Sequence, residues 1–401
     1  MVQQKNLKLK FLQRTKYADN IFVFAYAAIV IVFFLEIFRR NIPTDLQLHI
    51  RILETYLLNG HFPDTPLYYL AIYVIHFLFF SSSFINATII ILSVSCIIKY
   101  ILVRRFLQTS NPNIADNSFF PFSLMFLSPL FIYYLDGNNW YLGKFTSSIW
   151  HNSTTIFVFP ICIWLFMESL EYLKKPALKK MVKLLGISIL ILLAKPSFLF
   201  AFIIAFPLIC FVKFGFLNKY FLFAGASVVL ILLCLFLQKQ LIYTSTNSLD
   251  KLIYGAKESH VIVAPFRVWL LWTNHPALSI FSSFAFVFSF IILKYKVYKS
   301  DIEVWYSIML LVVSLFVFFL FAESGPRLYH GNFYWQIPVS MLIINMVFVK
   351  KILSGSSVNN FSGLSLWALF RCNKIICSLY LLQFISGLCY LSHILITKSY
   401  L

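Results

Sequence analysis

The sequence predicts an all-α fold, a polytopic transmembrane helical bundle of about 10–11 spans forming one integral membrane domain over residues 1–401. Three observations predict it. First, 60% of the 401 residues are apolar and 12% are charged. Soluble domains carry about a quarter charged residues, so this chain has too little charge to coat a water-facing surface. Second, apolar runs of the length a bilayer core demands, roughly 17–25 residues, recur from end to end. Third, Lys and Arg gather in short runs between those segments, the pattern left when positive charge is retained on the cytoplasmic side.

Placing Lys5, Lys8, Lys10, Arg14 and Lys16 in the cytoplasm orients everything after them. The expected location is a bacterial-type cytoplasmic (inner) membrane, crossed many times, with the N-terminus cytoplasmic. The spans are then 21–38, 84–103, 118–135, 154–172, 182–194, 197–213, 220–238, 276–294, 304–322, 334–350 and 375–397. The first run is too long for a signal-peptide core and continues into Arg39 and Arg40 without a small-residue cleavage site, so it reads as an uncleaved span. Segment 67–83 is apolar but interrupted by His76 and Ser81–Ser83. A crossing there would invert every later basic cluster, so it reads as interfacial or re-entrant on the outer face. Pro196 ends a helix and splits one apolar stretch at Lys195, a residue tolerable only near water or facing protein. Outer loops are expected at 39–83, 136–153, 239–275 and 323–333. The inner loops are short and mostly basic.

The net charge of +19 thus follows topology, and no nucleic-acid partner is expected; the charge faces membrane lipids. The seven Cys are scattered without a metal-ligand spacing, and no HExxH-type pattern is present. No pair of broken helices repeats in inverted order, as many transporters show. No cofactor is assigned, and use of a divalent metal stays open.

Polar residues capable of chemistry concentrate in the expected outer loops. The first carries Asp45, His49 and Arg51; positions four apart share one helix face. Asp45 follows a Pro-Thr turn and suits either a helix cap or a general base that takes a proton from an acceptor hydroxyl. The loop continues through Gly60-His61-Phe62-Pro63 to Pro66-Leu67-Tyr68-Tyr69-Leu70. An acidic residue soon after the first span, followed by this amphipathic stretch, resembles the start of GT-C membrane glycosyltransferases. The resemblance covers residues 10–215 in layout and includes the Ala194-Lys195-Pro196-Ser197 break. It implies outer-face juxtamembrane helices, with 67–83 among them, and Asp45 as catalytic base. It also implies a polyprenyl-phosphate or pyrophosphate-linked sugar donor and a lipid or glycan acceptor. No second acidic residue stands beside Asp45, although family members often have one there.

The second outer segment holds Lys144 and then Trp150-His151-Asn152. It is similar to stretches in uncharacterised bacterial membrane proteins of GT-C type. An aromatic face suits a sugar ring, and imidazole or amide groups suit its hydroxyls; a plain interfacial aromatic belt is the alternative. The segment 323–333 holds Glu323, Arg327, His330 and Asn332. A guanidinium pairs two phosphate oxygens at once, so Arg327 is the expected phosphate ligand, with Lys195 or Lys144 assisting. His330 reads as a donor-phosphate contact, a metal ligand or a cap of the next helix. The sequence-level expectation is a glycosyltransferase acting at the outer face of the membrane. The alternatives are an O-antigen-type polysaccharide polymerase and a non-enzymatic transporter or flippase of lipid-linked sugars.

Overall fold

A computed structural model describes residues 2–60, 62–63, 65–79, 83–108, 118–132, 140–244, 260–355 and 373–400. Parts of the expected loops, at 136–139, 245–259 and 356–372, lie outside the described residues. Among the described residues nine helices are long and apolar enough to cross a membrane, and the chain is a multi-pass, almost entirely α-helical membrane protein.

In chain order the helices are α1 (Val2–Arg39), α2 (Asp45–Leu58), α3 (Pro66–Phe79), α4 (Phe84–Gln108), α5 (Phe119–Leu124), α6 (Ser153–Lys174), α7 (Leu178–Ala194), α8 (Ser197–Phe214) and α9 (Lys219–Thr244). A strand β1 (Val261–Val263) and the short α10 (Arg267–Trp272) precede α11 (Pro276–Tyr298) and α12 (Ile302–Leu320). Then come β2 (Phe321–Glu323), two 3-10 turns at Gly325–His330 and Asn332–Tyr334, α13 (Gln336–Gly355) and α14 (Lys374–Thr397). β1 and β2 pair antiparallel, with Val261 opposite Glu323 and Val263 opposite Phe321.

Contacts sort the helix ends into two groups. At one end Lys180 reaches the Glu171 carbonyl, Tyr172 the Tyr220 carbonyl and Tyr298 the Lys351 carbonyl. There Lys350 pairs with Glu303, and Lys351 with Asp301 and Glu303. This is the basic end. At the other end lie the α1–α2 connection, the start of α6, the α7–α8 break, the β1–β2 pair and the start of α13. The basic clusters and the polar segments therefore separate along the bundle, as the charge pattern predicts.

The structure bears on three of the expected segments. The segment 118–135 is not a helical crossing: after the six-residue α5, the described chain from Met125 to Ile132 is irregular. It nevertheless travels along α14, from Ser123 beside Tyr380 to Pro129 beside Ser386. Non-helical backbone survives at such depth only when protein satisfies its polar groups. Here Ser128 N–H donates to the Gln383 carbonyl and Leu130 N–H to the Ser282 carbonyl. The hydroxyls of Ser147 and Ser148 donate to the Leu127 carbonyl, and that of Ser386 to the Pro129 carbonyl. Hydropathy registers the apolar run and is blind to these partners. Second, 182–194 lies in a 17-residue helix, α7, just under the length of the nine. Third, α3 has 14 residues, about 21 Å at 1.5 Å per residue, too short for a roughly 30 Å core. That fits a segment that does not cross.

The expected loop 136–153 is equally unlike a surface loop. From Tyr141 to Thr155 nearly every residue is buried. Phe145 N–H donates to Ser283 Oγ on α11, Thr146–Ser148 approach Leu127, and the chain returns to Asn152 at the start of α6. It is a buried loop held by hydroxyl groups.

Candidate functional site

The site is assembled at the start of α6. Asp45 occupies the first turn of α2, where the positive end of the helix dipole favours an anion. It does not cap that helix: the N-cap is Thr44, whose hydroxyl donates to Gln47 Oε1 at 2.7 Å. The carboxylate is left for tertiary use. Its Oδ2 accepts from Asn152 Nδ2 at 2.7 Å; Oδ1 has no partner among the described residues.

Asn152 is the hub. Its Oδ1 caps α6, accepting from the Thr155 amide at 3.1 Å and the Thr155 hydroxyl at 2.6 Å, with the Thr154 hydroxyl at 3.2 Å. The same oxygen accepts from Lys195 Nζ at 2.8 Å. A carboxylate demands a donor and an ammonium demands an acceptor, so these partners fix which way the amide faces. Lys195 stands where Pro196 separates α7 from α8, and its Nζ also donates to Thr154 Oγ1 at 3.1 Å. The ammonium lies 4.6 Å from the Trp335 ring centroid, a cation–π arrangement.

Two histidines flank this hub. His49, one turn after Asp45, has its Nδ1 2.6 Å from the Tyr69 hydroxyl. His151 is 4% exposed, and its Nδ1 is buried without a hydrogen-bond partner. Burial holds both imidazoles down at about 4; the Lys195 charge pushes the same way and Asp45 opposes it. Both rings are therefore neutral at pH 7. Burial also lowers Lys195 to about 7, against the pull of Asp45. Its amine thus titrates near neutrality.

The site is partly buried. Phe106 of α4 sits against Phe166 of α6, with ring centroids 5.9 Å apart, although Phe106 lies 22 residues into α4 and Phe166 only 13 into α6. Those nine residues offset the start of α6 from the start of α4 by about 13 Å along the helix pair. Asn152 and His151 are buried, whereas Asp45, His49 and Lys195 are partly accessible.

A second cluster lies beyond Trp335. Glu323 is nearly buried and stands 3.6 Å from the Arg327 guanidinium; it accepts from Asn332 Nδ2. With Val268, Phe318 and Gly331 among its walls, this cluster lines a narrow crevice. His330 is exposed at the end of the first 3-10 turn.

The structure therefore joins Asp45, His49, His151, Asn152 and Lys195, and separately Glu323, Arg327 and Asn332. It places two expected residues elsewhere. Trp150 is a core residue, 1% exposed, stacked on Phe126 and edge-on to Phe33. Lys144 is buried, its Nζ 3.4 Å from the Leu130 carbonyl and its own carbonyl accepting from Tyr334. Residues given no role from sequence also build the site: Tyr69, Tyr141, Thr154, Thr155, Trp335 and Tyr400. Among the described residues no three His, Cys, Asp or Glu side chains converge as a metal site. Comparison with protein-family models, curated proteins and solved structures found no match for this chain.

Proposed function

We propose that the protein is a membrane glycosyltransferase of GT-C type, moving a sugar from a polyprenyl-phosphate or pyrophosphate donor to a lipid or glycan acceptor at the outer face of a bacterial-type cytoplasmic membrane. The observation that carries this reading is the Asp45–Asn152–Lys195 bridge: a carboxylate with one oxygen unbonded among the described residues and a partly accessible amine, held on one amide at the polar end of the bundle. Fixed, water-poor placement of opposite charges is what a displacement at an anomeric carbon needs.

In that reaction the acceptor oxygen forms a bond to the anomeric carbon as the carbon–phosphate oxygen bond breaks. The hydroxyl proton passes to Asp45, and the electron pair leaves on the lipid phosphate. Lys195 in its ammonium form would stabilise the growing phosphate charge, with Arg327, which stands in the separate cluster beside Glu323, as the second cation once donor is bound. Asn152 is a positioning residue: its oxygen is taken by Thr154, Thr155 and Lys195 and one of its two N–H donors by Asp45, so it aligns Asp45 and Lys195.

The test is transfer by purified protein in lipid nanodiscs from radiolabelled polyprenyl-phosphate sugars, comparing wild type with Asp45→Asn. Transfer by wild type and its loss in the variant, with donor binding retained, supports the reading. Movement of the lipid-linked sugar across a bilayer by both proteins, without product, would replace it with a flippase.

A further inference from the structure

The side chain that closes over His151 was not anticipated. After α14 the chain turns back at Lys398, whose φ is +57°, and Tyr400 lies flat on His151, centroids 4.4 Å apart and planes 10° from parallel. Its carbonyl accepts from the Tyr390 hydroxyl at 2.8 Å. The other walls around the imidazole are Tyr141, edge-on at 4.6 Å, and Trp335, tilted at 5.8 Å. The phenol is near the hub: burial, and then the Asp45 carboxylate, push its ionisation up.

This occupant fits imperfectly. His151 Nδ1 is buried and unbonded, although buried polar atoms in proteins almost always find partners. Tyr400 covers the face of the ring and offers that nitrogen nothing. Flat aromatic walls around an imidazole with an unpartnered nitrogen match a pyranose, which has apolar C–H faces to stack on the rings and hydroxyl groups at its edge to reach round to that nitrogen. In the neutral tautomer protonated at Nε2, Nδ1 accepts from such a hydroxyl, and in the other tautomer it donates to the hydroxyl oxygen.

We propose that His151, Tyr141 and Trp335 form a slot for a pyranose ring, and that Tyr400 is a built-in occupant which the substrate sugar displaces. The ring assignment rests on the glycosyl-transfer reading; the displaceable tyrosine rests on the contacts above. Tyr400 is only half-buried, whereas His151 beneath it is buried. Its removal withdraws the self-competition that a bound ring must overcome, so a sugar should bind more tightly, by about tenfold if the closed form is populated roughly nine parts in ten.

The experiment measures binding of methyl glucoside, methyl mannoside and methyl N-acetylglucosaminide, and of short-chain polyprenyl-phosphate esters of the same sugars. The proteins are wild type, Tyr400→Ala, and Tyr400→Ala combined with His151→Ala, in nanodiscs free of sugar-based detergent. Tighter binding by Tyr400→Ala, with the gain lost in the double variant, is the expected result. A gain with the free glycosides marks the slot as reading the sugar alone; a gain confined to the lipid esters marks it as the donor's. Equal or weaker binding by Tyr400→Ala overturns the proposal, as does absence of binding by every form. Asp45→Asn should leave the gain intact. A gain accompanied by no transfer in wild type would retire the glycosyltransferase while keeping the slot.

Discussion

Asp45 and Lys195 meet through a single amide: Asn152 donates to the carboxylate from Nδ2 and accepts the ammonium on Oδ1. The two charges, 150 residues apart in sequence, are thereby held near each other without forming an ion pair. Removing the amide uncouples them and strips the cap from α6. Hydrogen bonds to charged groups contribute about 1.5–3 kcal/mol, so Asn152→Ala should slow transfer by roughly 10–150-fold. Asn152→Asp would set a second carboxylate against Asp45 and should slow it at least as much. Single-turnover rates at saturating donor separate this from weaker binding.

Loss of the base itself should be more costly. Positioned general bases contribute about 10²–10⁴-fold, and Asp45→Asn keeps the shape while removing that capacity. The expected outcome is a rate fall in this range with donor affinity within a few-fold of wild type. A variant of full activity would remove Asp45 from the reaction.

The titration of Lys195 gives a pH prediction with a definite sign. Its amine is charged below about 7 and neutral above. If the ammonium is the form that meets the donor phosphate, kcat/KM falls as pH rises through 7, because this ratio reports the free enzyme. Lys195→Arg keeps its charge at every accessible pH and should flatten that limb. A profile unchanged by the arginine would assign the fall to another group.

Trp150 separates core from sugar contact. Because its ring packs between Phe126 and Phe33, Trp150→Phe should leave the KM for donor and acceptor unchanged. Trp150→Ala should lower stability by about 3–5 kcal/mol, as large buried deletions do, read as a lower melting temperature in detergent. A selective rise in KM for Trp150→Phe would return this residue to the sugar site.

Gly387 tests the packing of the irregular segment. A Cβ there would stand 1.4 Å from the Phe126 carbonyl oxygen, and that neighbour is backbone. Gly387→Ala should therefore cost on the order of 1–3 kcal/mol, the usual range for overpacking. Gly225→Ala, which meets open space, is the control, and the melting temperatures of both check it.

The bundle itself was legible because apolar length and basic clustering are direct physical demands of a bilayer. Asp45, His49, His151, Asn152 and Lys195 were legible as polar side chains crowded at span ends, and topology alone put them on one face. Their roles were less so. Asn152 reads as a sugar ligand until Thr155 and Lys195 are seen to occupy its oxygen, and Trp150 reads as a platform until Phe33 and Phe126 enclose it. The 118–135 run looks helical because hydropathy counts side chains, whereas the actual path is set by Gln383, Ser386 and Ser147, which are distant in sequence. Tyr400 carried no signal at all, since one tyrosine after the α14 span resembles any interfacial aromatic.

The irregular passage from Met125 to Ile132 has a consequence for biogenesis. Its backbone partners include Ser386, 257 residues later in the chain, and Gln383 beside it. Until α14 has been synthesised and inserted, those carbonyls and amides have no protein partner, and lipid offers none. The centre of the molecule must therefore wait at the aqueous boundary or in the insertion machinery while the later helices arrive. A nascent chain halted before residue 374 should keep this segment open to proteases and water-soluble labels, and release through α14 should close it. The site hub, hung on the buried loop that follows, is on this view among the last parts of the protein to take shape.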